Sequence, residues 1–153
     1  MKNLIEIRII EAVRKLLAGR VNELLGESEY QIPLIEFGNY QDGNSIVPGI
    51  TLSSCERTEK ERIIRLDSYS LTITFSLSET SSPQETLESE LYCYAYSGAV
   101  SRALYDDPTL GGMVDRAVIA GKKYVSPKKP HCGEGWEVVI SLRVTIEGMA
   151  NDG

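Results

Sequence analysis

Residues 69–77 read Tyr-Ser-Leu-Thr-Ile-Thr-Phe-Ser-Leu, so that apolar and hydroxyl side chains alternate without a break. Successive side chains of a β-strand point to opposite faces of the sheet, and this pattern therefore predicts a strand with one buried face and one polar face. The stretch 136–147 alternates in the same way and predicts a second strand near the end of the chain. The apolar faces of such strands need a covering layer, for which the neighbouring segments supply helices.

Two helices are predicted around these strands. The second begins at Ser82-Pro83, a serine cap followed by a proline in the first turn, and runs to about Leu104. Asp106-Asp107-Pro108 ends it, because the residue before a proline avoids the helical conformation. The first helix covers residues 3–25 and stops at Gly26; its predicted apolar face consists of Ile10, Val13, Leu17, Val21 and Leu24.

The remaining segments predict weaker strands and exposed connections. Residues 32–37 and 46–52 hold several apolar side chains each, but prolines interrupt both segments. Residues 53–62 are polar, and we expect them to be exposed. Residues 113–124 predict a further strand, and residues 125–135, which are rich in proline, glycine and lysine, predict an exposed hairpin loop.

The predicted order of elements is α-β-β-β-α-β-β, without regular alternation of strands and helices. This order favours an α+β fold in which two main helices pack on a mostly antiparallel sheet. A chain of 153 residues without a break in composition predicts a single domain over residues 1–153. We expect residues 1–2 and 149–153 to be frayed.

Composition and charge disfavour several classes of function. The net charge of −6 argues against nucleic acid as a specific partner and against anionic lipid surfaces. The N-terminal segment is interrupted by charges, and no apolar stretch approaches the length of a membrane helix, so we predict neither a signal peptide nor a membrane partner. Three widely spaced cysteines at positions 55, 93 and 132 predict no disulfide framework. We therefore expect the protein to be made in the cytoplasm.

The residues that could carry chemistry are few. His131 lies in the predicted lysine-rich loop, where nothing holds a catalytic geometry, and Cys132 beside it lacks the further ligands of a zinc site. Asp106 and Asp107 form a carboxylate pair, but adjacent aspartates before a proline also suit a helix-ending turn, which is the interpretation that we favour. We predict no catalytic residue, no cofactor and no metal. A small enzyme or ligand-binding domain that uses Asp106, Asp107 or His131 is the alternative.

Charge and tyrosine content point to a protein interface. Residues 79–107 carry a net charge of −5 and residues 108–133 a net charge of +4, which suits a head-to-tail contact between subunits. Tyrosines at positions 92, 94 and 96 lie about 200° apart around one helix, so some of them must face a second surface. The residues that we predict at the interface are Glu85, Glu88, Glu90, Tyr92, Tyr96, Lys122, Lys123, Lys128 and Lys129.

Residues 104–115 read Leu-Tyr-Asp-Asp-Pro-Thr-Leu-Gly-Gly-Met-Val-Asp. The pattern Asp-x-x-Leu-Gly-Gly-x-Val, placed between a helix and a pair of strands, resembles the tail terminator (tail completion) and related minor tail proteins of long-tailed phages and prophages. The resemblance implies a structural subunit without catalysis or cofactor, which assembles with itself into a ring, often hexameric. The ring caps the tail tube and joins it to the head.

The same resemblance implies partners and a location. The partners are further copies of the chain, the tail-tube protein and the head-completion proteins. The subunit would be present in the host bacterial cytoplasm during assembly and in the virion tail afterwards. Another neck or tail-tube protein of the same particle is an alternative within this class.

Overall fold

A computed structural model describes residues 4–37, 45–60, 63–78, 83–128 and 134–149 of the chain. The first helical region consists of α1 (Ile5–Leu16), a π-helical turn (Leu17–Val21) and α2 (Asn22–Gly26). A longer helix, α3, follows the fourth strand and spans Pro83–Asp106. The strands are β1 (Leu34–Ile35), β2 (Ser45–Ile46), β3 (Gly49–Lys60), β4 (Ile64–Ser78), β5 (Arg116–Val125) and β6 (Glu134–Met149).

Four strands form an antiparallel sheet in the order β3-β4-β6-β5, and the predicted α+β fold is confirmed. The two short strands β1 and β2 pair separately, in parallel. α1 packs on β3, and α3 packs mainly on β6 and β5. Among the described residues, no helix has both the length and the apolar character that a membrane crossing requires.

The two strongly alternating segments become the central strands of the sheet. Leu71 of β4 lies opposite Leu142 of β6, and both side chains are buried under the helices. Phe75 of β4 stacks on Tyr96 of α3 with ring centroids 4.7 Å apart. The opposite face of β4 carries the hydroxyl side chains, as the alternation predicted; Ser70, Thr72 and Thr74 are half-buried and Ser76 is exposed.

The first helical region is confirmed, with a π-helical turn that the sequence analysis did not anticipate. Its buried residues recur at every fourth position: Ile9, Val13, Leu17, Val21 and Leu25. An α-helix has 3.6 residues per turn, so a spacing of four rotates the apolar stripe by about 40° at each step. A π-helical turn holds more residues, and the turn at 17–21 therefore keeps the later positions directed at the core. This explains why Leu25 is buried while the predicted Leu24 is only partly so.

The prediction that residues 53–62 are exposed is confirmed for residues 53–59, but the strand predicted to end near Leu52 is longer than expected. β3 continues to Lys60 and pairs with β4 along its whole length, with a bulge at Ser53. Residues 53–59 are exposed and belong to the edge strand of the sheet. Strands are predicted from the alternation of apolar and polar residues. An exposed edge strand does not need this alternation, so its full length could not be predicted.

The boundaries of three other elements differ from the prediction. α3 ends two residues later than expected, and β5 begins at Arg116 rather than at residue 113, because residues 107–114 form a turn. β5 and β6 are joined by residues 126–133, within the predicted loop, although residues 129–133 lie outside the described part. Met149 is the last residue of β6 and is not separate from the sheet; residues 1–2 and 150–153 lie outside the description.

Candidate functional site

The stretch that resembles phage proteins forms a tight turn between α3 and β5. Leu110, Gly111 and Gly112 have backbone φ angles of 51°, 72° and 88°, which place all three in the left-handed region. The Asp107 carboxylate accepts a hydrogen bond from the Gly111 N–H at 3.0 Å, and the Thr109 hydroxyl accepts one from the Gly112 N–H at 3.1 Å. Glycine adopts such angles without a steric penalty, and buried Leu110 anchors the turn in the core. The motif is therefore a structural device.

This turn places β5 beside the second half of α3. The Val114 N–H donates to the Thr109 carbonyl at 3.0 Å, and the Ala117 N–H donates to the Pro108 carbonyl at 2.7 Å, so the chain reverses direction and enters the sheet at once. A groove of about 510 Å³ remains between the helix and the strand. Its lining includes Ser101, Leu104, Tyr105, Pro108, Val118 and Ile119.

Three exposed tyrosines lie on α3 and β5, and one of them, Tyr105, lines the groove. Tyr105 is 81% exposed, Tyr94 is 47% exposed and Tyr124 is 37% exposed. The rings of Tyr94 and Tyr124 meet edge to face at 5.1 Å, and the Tyr124 hydroxyl shares a 2.8 Å hydrogen bond with the Ser97 hydroxyl. The Tyr94 hydroxyl donates to the Glu90 carboxylate at 2.8 Å, which raises the pKa of Tyr94. Tyrosine combines an apolar ring with a polar tip and is enriched at protein interfaces.

The edge of the sheet at β5 is more apolar than the edge at β3. Residues 117–121 of β5 read Ala-Val-Ile-Ala-Gly, whereas the second half of β3 carries Glu56, Arg57 and Glu59. Charged side chains protect a free strand edge from pairing with another chain, and residues 117–121 lack this protection. The groove and the apolar edge strand are therefore parts of one surface that is suited to a protein partner.

Positive charges lie along β5: Arg116 and Lys122 line the groove, and Lys123 is the next residue of the strand. Arg116, Lys122 and Lys123 are exposed, and within the described part of the chain no carboxylate forms an ion pair with them. The Lys122 ammonium donates to the Ser97 carbonyl at 3.3 Å, which holds it beside α3. We refer to the groove, the three exposed tyrosines and these three basic residues as the α3–β5 surface.

The predicted interface residues have different positions in the structure. Lys122, Lys123 and Lys128 are exposed, and Glu90 and Tyr92 are half-buried. The prediction for Tyr96 is wrong, because its side chain is fully buried and its hydroxyl donates to the Pro33 carbonyl. Burial raises the pKa of this phenol. The side chains of Glu85, Glu88 and Lys129 lie outside the described part of the structure.

The acidic and basic segments lie side by side in one subunit. Lys122 contacts the backbone of α3, and Tyr124 contacts Tyr94, so that α3 and β5 contribute to the same surface. A head-to-tail contact requires two separate surfaces, and these segments supply one of them. The sequence analysis did not single out Tyr94 and Tyr105, the two exposed tyrosines of α3. They lie eleven positions apart, which is three helical turns and places them on one side of the helix.

The two aspartates have structural roles. The Asp106 carboxylate lies 3.1 Å from an Arg20 guanidinium nitrogen and 3.2 Å from an Arg102 nitrogen, and the hydrogen bond from Arg20 lowers the pKa of Asp106. Asp107 accepts the Gly111 N–H, which confirms the interpretation of this residue as part of a turn. In the described ranges, no group of three or more His, Cys, Asp and Glu side chains is placed to hold a metal ion. His131 and Cys132 lie outside those ranges.

Sequence comparison adds no assignment to this geometry. No protein-family model matches the chain, and no curated protein is significantly similar to it. The similarity of residues 104–115 to phage tail terminators therefore stays a prediction.

Proposed function

We propose that the chain is a structural subunit of a phage or prophage tail, and specifically a tail terminator. In this proposal, copies of the subunit associate into a ring that caps the tail tube and joins it to the head. The observation that carries the proposal is the α3–β5 surface, where an apolar groove, three exposed tyrosines and an apolar strand edge coincide. Exposed apolar surface of this kind marks sites of protein association.

The composition of the surface supports a protein partner over a small ligand. Interfaces are enriched in tyrosine and arginine at their centres and have polar rims. The α3–β5 surface has Tyr105 in its groove, two further exposed tyrosines on the same helix and strand, and three basic residues along β5. Tyr105 is the residue most exposed among the large apolar side chains of the described part. A side chain of this size gains much from burial against another protein.

The resemblance and the surface support each other. The Asp-x-x-Leu-Gly-Gly-x-Val pattern of residues 107–114 forms the turn that holds β5 beside α3, and Pro108 within it lines the groove. The pattern is therefore what a family would need in order to keep this surface. The residues that carry the similarity therefore have a structural role in this surface.

The proposal is tested by particle assembly in the phage or prophage that encodes the chain. Without the protein, we expect tails that fail to join heads, and we expect the purified protein to restore joined particles. Tyr105→Ala should restore few joined particles, because it removes an exposed apolar side chain of the α3–β5 surface without disturbing the core. Ile63→Ala, which truncates a side chain that is 58% exposed in the turn between β3 and β4, is the matched control and should restore particles normally.

Two outcomes would contradict the proposal. Joined particles of normal tail length in the absence of the protein would show that it is not a tail terminator. Full restoration by Tyr105→Ala would show that the α3–β5 surface does not carry the function. Tails of uncontrolled length in the absence of the protein support a terminator, whereas the absence of tails would instead indicate a tail-tube component.

A further inference from the structure

We infer that the α3–β5 surface of one subunit binds an acidic surface of a second copy of the chain, formed by Glu27, Glu29, Tyr30 and Leu34. This inference rests on the proposed function and specifies which surfaces meet in the ring. Glu27, Glu29 and Tyr30 follow α2, and Leu34 is the first residue of β1. We refer to them as the α2–β1 surface.

The charges of the two surfaces are complementary. Residues 22–37 contain four glutamates and no basic residue, whereas residues 116–128 contain four basic residues and no acidic one. Glu23 is neutralised by Arg20 at 2.9 Å, but Glu27 and Glu29 are exposed and form no ion pair within the described part of the chain. Opposite charges at an interface set its orientation and speed up association.

Both surfaces also expose apolar side chains. Tyr30 is 52% exposed, and Leu34, which precedes the buried Ile35, is 49% exposed. Exposed ion pairs contribute little, so the affinity of a contact comes from its apolar centre. Tyr30 and Leu34 provide such a centre opposite the groove that Tyr105 borders.

The part of the α2–β1 surface at β1 is held in place by hydrogen bonds on both sides of Leu34. The Tyr96 hydroxyl donates to the Pro33 carbonyl, which ties residue 33 to α3. The Asn22 side chain bonds both backbone groups of Ile35, accepting from its N–H at 2.7 Å and donating to its carbonyl at 3.0 Å. A surface that is ordered before association loses less conformational entropy on binding.

The two surfaces lie on opposite sides of α3. Tyr94 contacts β5, and Tyr96 contacts Pro33 before β1. Residues two positions apart in an α-helix point about 200° away from each other, so α3 separates the α3–β5 surface from the α2–β1 surface. Two unlike surfaces on opposite sides of a subunit produce head-to-tail association, which closes into a ring when the rotation between subunits allows it.

Charge reversal tests the inference. The acidic variant carries Glu27→Lys with Glu29→Lys, and the basic variant carries Lys122→Glu with Lys123→Glu. We expect each to weaken self-association about tenfold in sedimentation velocity, equivalent to about 1.4 kcal/mol. The effect should shrink at high salt. Because Lys122 bonds the backbone of α3, Arg116→Glu with Lys123→Glu serves as a second basic variant.

Combining the acidic and basic variants in one chain should restore most of the association, since the charges are again complementary. Matched controls with the same change of net charge are Glu56→Lys with Glu59→Lys on β3, and Arg8→Glu with Lys15→Glu on α1; all four residues are exposed. We expect both controls to associate like the wild type. Unfolding midpoints measured in parallel show whether every variant folds.

The failure of the inference and the failure of the proposed function are distinguishable. If the wild type associates but the acidic variant does so equally well, or if the combined variant is not restored, the α2–β1 surface is not the partner, and the proposed function stands. If the wild type stays monomeric at every concentration, while the basic variant still fails to restore phage particles, the α3–β5 surface binds a different protein and the inference is overturned. A monomer whose loss does not affect particles overturns both.

Discussion

The left-handed turn after α3 yields a prediction that uses one substitution at two sites. Gly111 has a φ angle of 72°, and Gly98 lies within α3. A Cβ atom built at either position meets no other atom within 4 Å, so neither alanine creates a clash. We expect Gly111→Ala to destabilise the protein and Gly98→Ala to stabilise it, because only Gly111 needs a conformation that alanine avoids.

The magnitude follows from the backbone. Replacing glycine by alanine reduces the conformational entropy of the unfolded chain at both sites, so this contribution cancels when the two variants are compared. What remains is the cost of placing an L-residue in the left-handed region, about 1–2 kcal/mol. Compared with the wild type, Gly98→Ala should raise the free energy of unfolding by about 1 kcal/mol, because alanine has the higher helix propensity. A difference of about 1–2 kcal/mol corresponds to about 2–8 °C in the unfolding temperature.

Urea unfolding followed by circular dichroism measures both variants against the wild type. The protein should be kept dilute, because self-association would add a concentration-dependent contribution to the stability. The reasoning would be refuted if Gly111→Ala and Gly98→Ala had the same free energy of unfolding. That result would mean that the Asp107–Val114 turn does not hold Gly111 in the left-handed region.

Three further predictions concern single side chains. Tyr96→Phe should lower the free energy of unfolding by about 1–3 kcal/mol, because the Pro33 carbonyl loses its donor; equal urea midpoints would contradict this. Arg20 lowers the pKa of Asp106, so the ionised carboxylate stabilises the fold fully above the ordinary aspartate pKa, and this stabilisation is lost as the pH falls through the lowered pKa. The difference in free energy of unfolding between the wild type and Asp106→Asn should therefore vanish in acid. A difference that stays constant with pH would refute this prediction. Burial raises the pKa of Tyr69 to about 12, so the unfolded chain loses this phenol proton at a lower pH than the folded chain does. The free energy of unfolding should therefore fall between about pH 10 and 12, and it should fall less steeply in Tyr69→Phe. The same pH dependence in the wild type and in Tyr69→Phe would contradict this prediction.

The elements with strong periodicity could be predicted from the sequence. Residues 69–77 and 136–147 alternate because each strand has one face under the helices and one face outside. The first helix was also predictable, but its π-helical turn was not, since the i+4 spacing of Val13, Leu17 and Val21 differs little from the ordinary i+3 and i+4 pattern. β3 was largely missed, because the second half of an exposed edge strand carries no pattern of burial.

The candidate site was predicted in part. Lys122 and Lys123 are on the surface as expected, and the tyrosine spacing correctly indicated that α3 has two occupied sides. The sequence could not show which tyrosine faces which side, because this depends on how α3 rotates against Phe75 and β5. The adjacency of the acidic and basic segments is a tertiary property as well, created by the turn at residues 107–114.

Amide hydrogen exchange measured at low and high protein concentration tests most directly whether the α3–β5 surface is covered by self-association. We predict slower exchange at high concentration at the apolar edge of β5, residues 117–121, and at residues 27–35, with little change in β3. Exchange that is equally fast at both concentrations in a sample shown by sedimentation to be assembled would contradict this account, and so would protection confined to β3.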